Sequence, residues 1–524
     1  MRQWLRQNLP LLLVLYLALI LRIPQLGGSF WLDEAAQALE ADRPFSQQLQ
    51  IVDDFQPPLL HLLTFGAIQI NRSELWLRLL GAVIPSLFTI WGTYELGRKL
   101  VSKKVGLLAA LLLATNSFFI FFSQELRPYS LSAVFAVWSW FFLLEAKAIG
   151  QDSYQLKKKN VLNKFFQLFP VSRDFFLFLL MSILGLYSSY LYPFVLASQI
   201  IFLLSKKDWS KAIYSAIIPT LAFLPWLPTF LQQLAAGQAL RLNFPGWENV
   251  VSFSTFRAPA LTFGKFLFGV LNLEVNLPYL LLTAIFLLLV GLILFSHSHQ
   301  FWRQNQKKLW LWCHFLITPF LLATLVSLFV PVIQPKRVIY LLPFLYLLLS
   351  FLILGSRQEW TKLKAKNWLL LLFLIGLNLF STFSYYQDPT LQREDWRHAL
   401  ATLHYHLPTD RTIAVFAYAD AFSPWLWYEQ TYLNPFPTLS TGNYDTSQIE
   451  RLDQVLLPVF NYDYVIVFDY LRSLTDSQNL LTEFLTDNHY SELKVFEYPN
   501  LGFIRIYIKP GVNSQECSGT ATSS

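Results

Sequence analysis

The sequence predicts an all-α polytopic membrane protein of about eleven transmembrane helices, with a small C-terminal α/β domain outside the membrane. Three observations predict it. Of the 524 residues, 54% are hydrophobic and only 14% are charged, with a mean hydropathy of +0.40; a soluble domain carries about 25% charged residues. The apolar residues gather in runs close to the roughly 20 that cross a bilayer as a helix. After Ser384 the composition turns polar. A soluble enzyme and a disordered chain are excluded. With Cys313 and Cys517 alone, so are a disulfide framework and a cysteine zinc site. The net charge of +7 does not point to nucleic acid, because Lys and Arg cluster between apolar runs, as cytoplasmic loops require.

The first run, Leu9–Leu26, follows Arg2 and Arg6. Pro24–Gly28 has no small-x-small cleavage site, so the run reads as a retained helix with a cytoplasmic N-terminus. Further runs lie at 75–97, 105–122, 129–149, 175–189, 191–205, 212–231, 278–296, 309–330, 338–355 and 367–384. Every second connection is basic: Arg98, Lys99, Lys103 and Lys104; Lys157, Lys158, Lys159 and Lys164; Lys206, Lys207 and Lys211; Arg303, Lys307 and Lys308; Lys362, Lys364 and Lys366. That register requires residues 175–205 to split into two helices at Tyr187–Tyr192. It makes the chain a multi-pass protein of the inner (plasma) membrane with its C-terminal domain extracytoplasmic.

The outer connections differ in kind. Residues 27–57 form a long loop holding Asp33, Glu34, Asp53 and Asp54, closed by Pro57 and Pro58. The apolar stretch 59–70 is too short to cross and reads as an interfacial helix. Residues 123–128 are Ser-Gln-Glu-Leu-Arg-Pro, 232–277 are a long outer segment amphipathic near Leu261–Leu271, and 331–337 hold Gln334, Pro335, Lys336 and Arg337. The domain expectation is a membrane domain over 1–384, a soluble α/β domain over 385–510, and a Ser/Thr/Gly-rich disordered tail over 511–524. Within the soluble domain, Arg411–Ala417, Tyr464–Phe468, Leu493–Tyr498 and Phe503–Ile508 read as strands. Asp395–His406, Ser447–Leu457 and Ser477–Asn488 read as helices.

Charges inside or beside apolar segments are expensive and mark candidate sites. On the outer side these are Asp33, Glu34, Asp53, Asp54, Arg78, Glu125, Arg127, Lys336 and Arg337. Both signs at one membrane face suit transfer of a group from a lipid phosphate to a hydroxyl. A carboxylate takes the acceptor proton, cations offset charge on the leaving phosphate, and an apolar groove holds the lipid. Each group also has a plainer reading. Asp33–Glu34 reads equally as a solvated pair or a helix cap, Glu125–Arg127 as an interfacial ion pair, and Lys336–Arg337 as snorkelling residues. His297 with His299, and His404 with His406, have the spacing of metal pairs, but one lies in an inner loop and the other on a solvent-facing helix. His61 reads as packed or interfacial.

Several segments resemble bacterial glycosyltransferase family 39, of the C-type superfamily that includes protein O-mannosyltransferases and the lipid A aminoarabinose transferase. They are Trp31-Leu32-Asp33-Glu34; Asp53-Asp54-Phe55-Gln56-Pro57-Pro58-Leu59; Arg78-Leu79-Leu80 through Gly97-Arg98-Lys99; Ser123-Gln124-Glu125-Leu126-Arg127-Pro128-Tyr129; and Lys336-Arg337-Val338-Ile339-Tyr340 through Pro343. The resemblance covers about residues 1–355, with a weaker echo at Asp395-Trp396-Arg397. It implies a C-type glycosyltransferase architecture and a polyprenyl-phosphate-linked sugar donor. The acceptor would be a lipid, glycan or protein at the bilayer, and no nucleic acid, cofactor or metal is required. It further implies catalysis by Asp33 with Glu34 beside it, and a phosphate contact from Arg337; the reading of the outer charges and segments adds substrate contacts from Asp54, Gln56, Arg78, Glu125, Arg127, Tyr190 and Lys336. Two positions depart from the family: Gln56 stands where many relatives have His or Lys, and Ser188-Ser189-Tyr190 stands where many have Thr-His-Tyr. No lectin-like insert accompanies the C-terminal domain. A transporter or flippase of lipid-linked sugars, or a polymerase or ligase using lipid-diphosphate saccharides, are the alternative readings.

Overall fold

The computed structural model describes residues 2–52, 54–146, 172–243, 257–271, 276–296, 299–330, 332–355 and 363–512. Asp53, the lysines at 157–159, 164 and 362, His297, the side chain of His299, and the tail beyond 512 lie outside the described residues. The chain divides into two compact units: Met1–Leu26, Phe45–Gln233 and Ser252–Gln387 in one, and Gly27–Pro44, Leu234–Val251 and Asp388–Ser524 in the other.

The first unit is helical. Helices occupy all eleven apolar runs, and two of them, Arg173–Leu186 and Tyr192–Ser205, are separated at the turn the charge register demanded. Five helices among the described residues are long and apolar enough to cross a membrane: Glu74–Leu100, Trp209–Leu240, Leu277–Ser296, Arg303–Ser327 and Ala365–Gln387. The shorter apolar helices are Gln7–Ile20, Leu59–Ile68, Tyr129–Glu145, Tyr192–Ser205 and Ile339–Leu354.

In lipid there is no hydrophobic drive between helices, so close contact and internal hydrogen bonds must hold them. Both devices are present. The helices Glu74–Leu100 and Lys103–Thr115 meet at Gly97 and Gly106, where a Cβ on Gly97 would stand 2.6 Å from the Gly106 Cα. Trp140, Phe315 and Phe344 then form a buried aromatic row, the first pair edge-to-face and the second tilted, with successive centroids 4.8 Å apart.

The run 105–122, expected as one helix, is broken. Lys103–Thr115 stops, and Asn116 caps a second helix, Ser117–Phe122, by accepting from the Phe119 N–H at 2.8 Å. Asn competes with the helix backbone through its side chain, which favours a cap over a continuous turn. The carbonyls freed by the break are satisfied from the helix Ala365–Gln387. Asn378 Nδ2 donates to the Leu112 carbonyl at 2.9 Å, and the Thr382 hydroxyl donates to that of Thr115 at 3.1 Å. Asn116 Nδ2 in turn donates to the Tyr346 hydroxyl at 2.9 Å.

The second unit is a five-stranded sheet with helices: β1 (Thr412–Phe416), β2 (Thr438–Ser440), β3 (Tyr464–Phe468), β4 (Ser491–Tyr498) and β5 (Gly502–Ile508), ordered β2-β1-β3-β5-β4. β1, β2 and β3 are parallel, with Ala414 opposite Ile466, and β5 runs antiparallel to both β3 and β4. β1 and β3 are buried along their whole length, as apolar runs in a covered parallel sheet should be. One face packs Leu481 and Leu485 onto Val415 and Val467. Around Phe416 and Phe468, stacked at 5.0 Å, lie Trp396, Phe422 and Trp425.

One expectation needs correction here, and two elements are new. The helix expected over Ser447–Leu457 is instead the 3₁₀ turn Thr446–Gln448, the short helix Leu452–Val455 and the 3₁₀ turn Leu457–Asn461. Asp445 caps the first turn, and Pro458 prevents one ladder from running through. β2 and the helix Ser423–Glu429 were not legible, being short and aromatic-rich.

Candidate active site

The expected site residues fall in both units. In the helical unit Asp54 is the centre. Arg127 grips it bidentately, Nη1 donating to Oδ2 at 3.0 Å and Nη2 to Oδ1 at 3.1 Å, with both side chains mostly buried. Gln56 Nε2 donates to the same Oδ2 at 2.5 Å and lies 3.1 Å from His61 Nε2. A neutral His61 with an unprotonated Nε2 would accept the second N–H of that amide. Fully buried, His61 also stands 3.5 Å from Asp54 Oδ2, so on protonation it would pair with the carboxylate. Arg127 is thus paired with Asp54, a partner that the interfacial Glu125–Arg127 reading did not include; the Glu125 carbonyl accepts the Arg127 N–H at 2.7 Å in a tight turn. Glu125 itself is buried.

Tyr190 joins this cluster through Gln233. Its hydroxyl donates to Gln233 Oε1 at 2.5 Å, and Gln233 Nε2 donates to the Ile51 and Asp54 carbonyls at 2.7 and 2.9 Å. Trp226 Nε1 donates to the same hydroxyl at 2.9 Å. Burial pushes the Tyr190 phenol up, and the Asp54 charge adds to the shift. Arg78, fully buried at the end of the short helix Glu74–Arg78, donates to the Leu26 carbonyl at 2.8 Å. A π-turn, Leu79–Val83, follows it directly, a feature frequent at functional positions. Lys336 Nζ lies 5.9 Å from the centroid of the Tyr129 ring, two residues past Arg127, and Arg337 reaches the Val332 carbonyl at 3.5 Å. Two carboxylates, four cations and several hydroxyl and amide groups therefore occupy the connections of this unit.

Asp33 and Glu34 belong to the sheet unit. They sit in the first turn of the helix Leu32–Ala41, where negative charge is favoured by the helix dipole. The preceding N-cap residue, Trp31, supplies no side-chain cap. Glu34 is buried, with Arg393 Nε 3.8 Å away. The segment before the helix is bound to the sheet unit residue by residue. Arg397 Nη2 donates to the Gly27 carbonyl at 2.8 Å, and the Ser29 hydroxyl donates to the Glu394 carbonyl at 2.9 Å. The Trp396 N–H donates back to Ser29 Oγ at 2.9 Å, and the Phe30 N–H donates to the Tyr428 hydroxyl at 2.6 Å. Phe30 is fully buried against Trp427, centroids 5.8 Å apart.

Asp33 has ionisable company there. Burial pushes the Glu394 carboxyl up to about 7; hydrogen bonds from Tyr470 and Trp396 oppose the shift, and the Asp33 charge reinforces it. Burial likewise raises the Tyr470 and Tyr418 phenols, with Asp33 contributing to both. Sequence reasoning missed His61, Gln233, Glu394 and Tyr470. Only Glu394 carried a signal, standing beside the Asp395-Trp396-Arg397 segment. His404 is not on a solvent-facing metal pair. Its Nε2 meets Glu429 at 3.1 Å and its ring stacks on Tyr432 at 3.7 Å, while His406 stacks on Phe496.

Residues 55–156 match the family described as dolichyl-phosphate-mannose-protein mannosyltransferase. Among curated protein sequences none matches the chain. Solved membrane glycosyltransferases share its fold. ArnT from Cupriavidus metallidurans bound to undecaprenyl phosphate is similar at 10% identity and a TM-score of 0.50, covering 95% of this chain and 98% of that one. The archaeal oligosaccharyltransferase AglB from Archaeoglobus fulgidus, in complex with an inhibitory peptide and a dolichol-phosphate, is similar at 14% identity and a TM-score of 0.50, covering 97% and 75%. The arabinofuranosyltransferase AftD from Mycobacteria gives 13% identity and a TM-score of 0.51, covering 98% of this chain and 40% of that longer one. These are C-type glycosyltransferases, and the chain has their fold.

Proposed function

We propose that the chain is an integral-membrane inverting glycosyltransferase that moves a sugar from a polyprenyl-phosphate donor to an acceptor hydroxyl at the outer face of the cytoplasmic membrane. The membrane unit makes eleven crossings in this reading, with the N-terminus cytoplasmic and the sheet unit extracytoplasmic. The observation that carries it is the buried cluster of Asp54, Gln56, His61 and Arg127, at the start of the stretch that matches the mannosyltransferase pattern.

Asp33 removes the proton from the acceptor hydroxyl. That oxygen bonds to the anomeric carbon from the face opposite the phosphate. The bond from this carbon to the phosphate oxygen breaks, the phosphate keeps the electron pair, and the configuration inverts. The leaving polyprenyl phosphate gains a negative charge, which Arg78, Arg127, Lys336 and Arg337 offset. Fixed cations do this without reorganising in the transition state. Glu34, Glu125, Asp54, Gln56 and Tyr190 hold sugar or acceptor hydroxyls. The phosphate-bound lipids named for ArnT and AglB support a lipid-phosphate donor of the same class.

The test is glycan profiling by mass spectrometry in a strain lacking this chain, complemented with wild type or Asp33→Asn at matched expression. The expected result is a glycan that vanishes on deletion, returns with wild type, and falls by about 10²–10⁴-fold with Asp33→Asn, the span of a lost general base. Full restoration by Asp33→Asn removes Asp33 as the base and favours a carrier of lipid-linked sugars.

A further inference from the structure

We propose that Glu394 is the positioning residue for Asp33: from the sheet unit its carboxylate caps the helix Leu32–Ala41 and so fixes where the base points. The inference rests on the reading of Asp33 as the base. The helix lacks a side-chain cap from its own N-cap residue, yet its first turns need acceptors for orphan N–H groups. Glu394 supplies one, accepting from the Leu32 N–H. The same carboxylate accepts from the Tyr470 hydroxyl at 2.7 Å and from Trp396 Nε1 at 2.7 Å. Three donors from three places in the chain therefore converge on one carboxylate, fixed a single residue before Asp33. Its backbone is tied as well, since its carbonyl takes the Ser29 hydroxyl.

An ionised Glu394 has enough lone pairs for all three donors, whereas a protonated one has fewer and carries a donor of its own. The charged and titratable groups facing it are Asp33, Tyr470 and, through Tyr470, Tyr418; Arg393 is engaged with Glu34. Burial holds the Glu394 carboxyl near neutrality, so ionisation there falls in the working range of a cell envelope.

The experiment measures glycan transfer in membranes of the deletion strain carrying full-length variants, using their own lipid-linked donor, from about pH 5.5 to 8.5. The product followed is the glycan lost on deletion. Glu394→Gln, at matched protein level, is expected to lower the rate about tenfold or more, because one of three converging donors loses its acceptor. Tyr470→Phe removes a single hydroxyl and keeps the ring. It is expected to accumulate normally and to move the acid limb of the rate profile to higher pH, since the lost donor had favoured the ionised carboxylate. A purely structural Glu394 would change protein yield and leave that limb in place. Wild-type rates and an unmoved limb in both variants overturn the proposal; if Glu394→Gln fails to accumulate, the limb in Tyr470→Phe decides. Asp33→Asn in the same membranes separates the two ideas. An inactive Asp33→Asn with an unmoved limb in Tyr470→Phe refutes positioning alone, whereas an active Asp33→Asn refutes the base itself.

Discussion

Replacing Arg127 with alanine removes the guanidinium that holds Asp54 and leaves a carboxylate that is mostly buried. Two charge-assisted hydrogen bonds are lost, each worth about 1.5–3 kcal/mol net. Breaking a buried pair from one side costs about 3–5 kcal/mol. Asp54 is not stranded, however, because the Gln56 amide still donates and His61 Nε2 stands 3.5 Å away. The expected loss is therefore at the low end, about 2–3 kcal/mol. Asp54→Asn alone should cost less, since the amide keeps one acceptor for the fork. In a double-mutant cycle the two changes should couple by about 2 kcal/mol. Thermal unfolding of the detergent-solubilised full chain, followed by size-exclusion chromatography with fluorescence detection, measures all four corners. Additive single and double variants, within about 0.5 kcal/mol, would refute the claim that Arg127 and Asp54 stabilise the fold as a pair.

Three further outcomes follow from features away from that pair. Gly106→Ala should destabilise strongly, because its Cβ would sit 2.3 Å from the Tyr94 carbonyl oxygen, whereas Gly66→Ala meets nothing within 4 Å and should stabilise by up to about 1 kcal/mol; the same melting assay compares them. Asn378→Leu should cost about 1–3 kcal/mol by removing a donor to the Leu112 carbonyl and an acceptor of the Tyr346 hydroxyl, and a melting point equal to wild type would count against the polar seam. Glu394 predicts a pH dependence. Its folded value near 7 lies above the free value of 4.5, so its stabilising contribution is full below about pH 4.5 and fades as pH rises through 7. A difference of that size is worth about 3 kcal/mol. Glu394→Gln should flatten the melting-point profile across this window, and parallel profiles would dismiss the cause.

What was legible in the sequence follows from what a run of residues must do alone. A helix in lipid has to satisfy its own backbone, so apolar length located the helices, and loop charge located the turn between Leu186 and Tyr192. β1 and β3 were readable because both are short, β-branched and aromatic-rich runs that are buried along their whole length. The break at Asn116 was hidden, because its cost is met by Asn378 and Thr382, more than 250 residues away. Of the site, the charged residues were visible by type. Their pairing was not, as the Arg127–Asp54 contact spans 73 residues and depends on tertiary geometry. His61 looked like a packed residue until Gln56 and Asp54 were found beside it. Least legible was the grouping of Gly27–Pro44 with the sheet unit, which rests on Ser29, Phe30 and Leu32 finding partners near the other end of the chain.

That grouping has a consequence for the order of synthesis. The helix Leu32–Ala41 leaves the ribosome early, while the Glu394–Arg397 segment that receives it emerges about 350 residues later, roughly 20–70 s at ordinary translation rates. Until then Phe30, and the acids that follow it, wait without their final partners. A chain released before the sheet is complete would carry the acidic helix with nothing to seat it. A product truncated before Glu394 therefore lacks the residues that receive this helix, and its acidic first turn would be more open to proteolysis than in the folded unit.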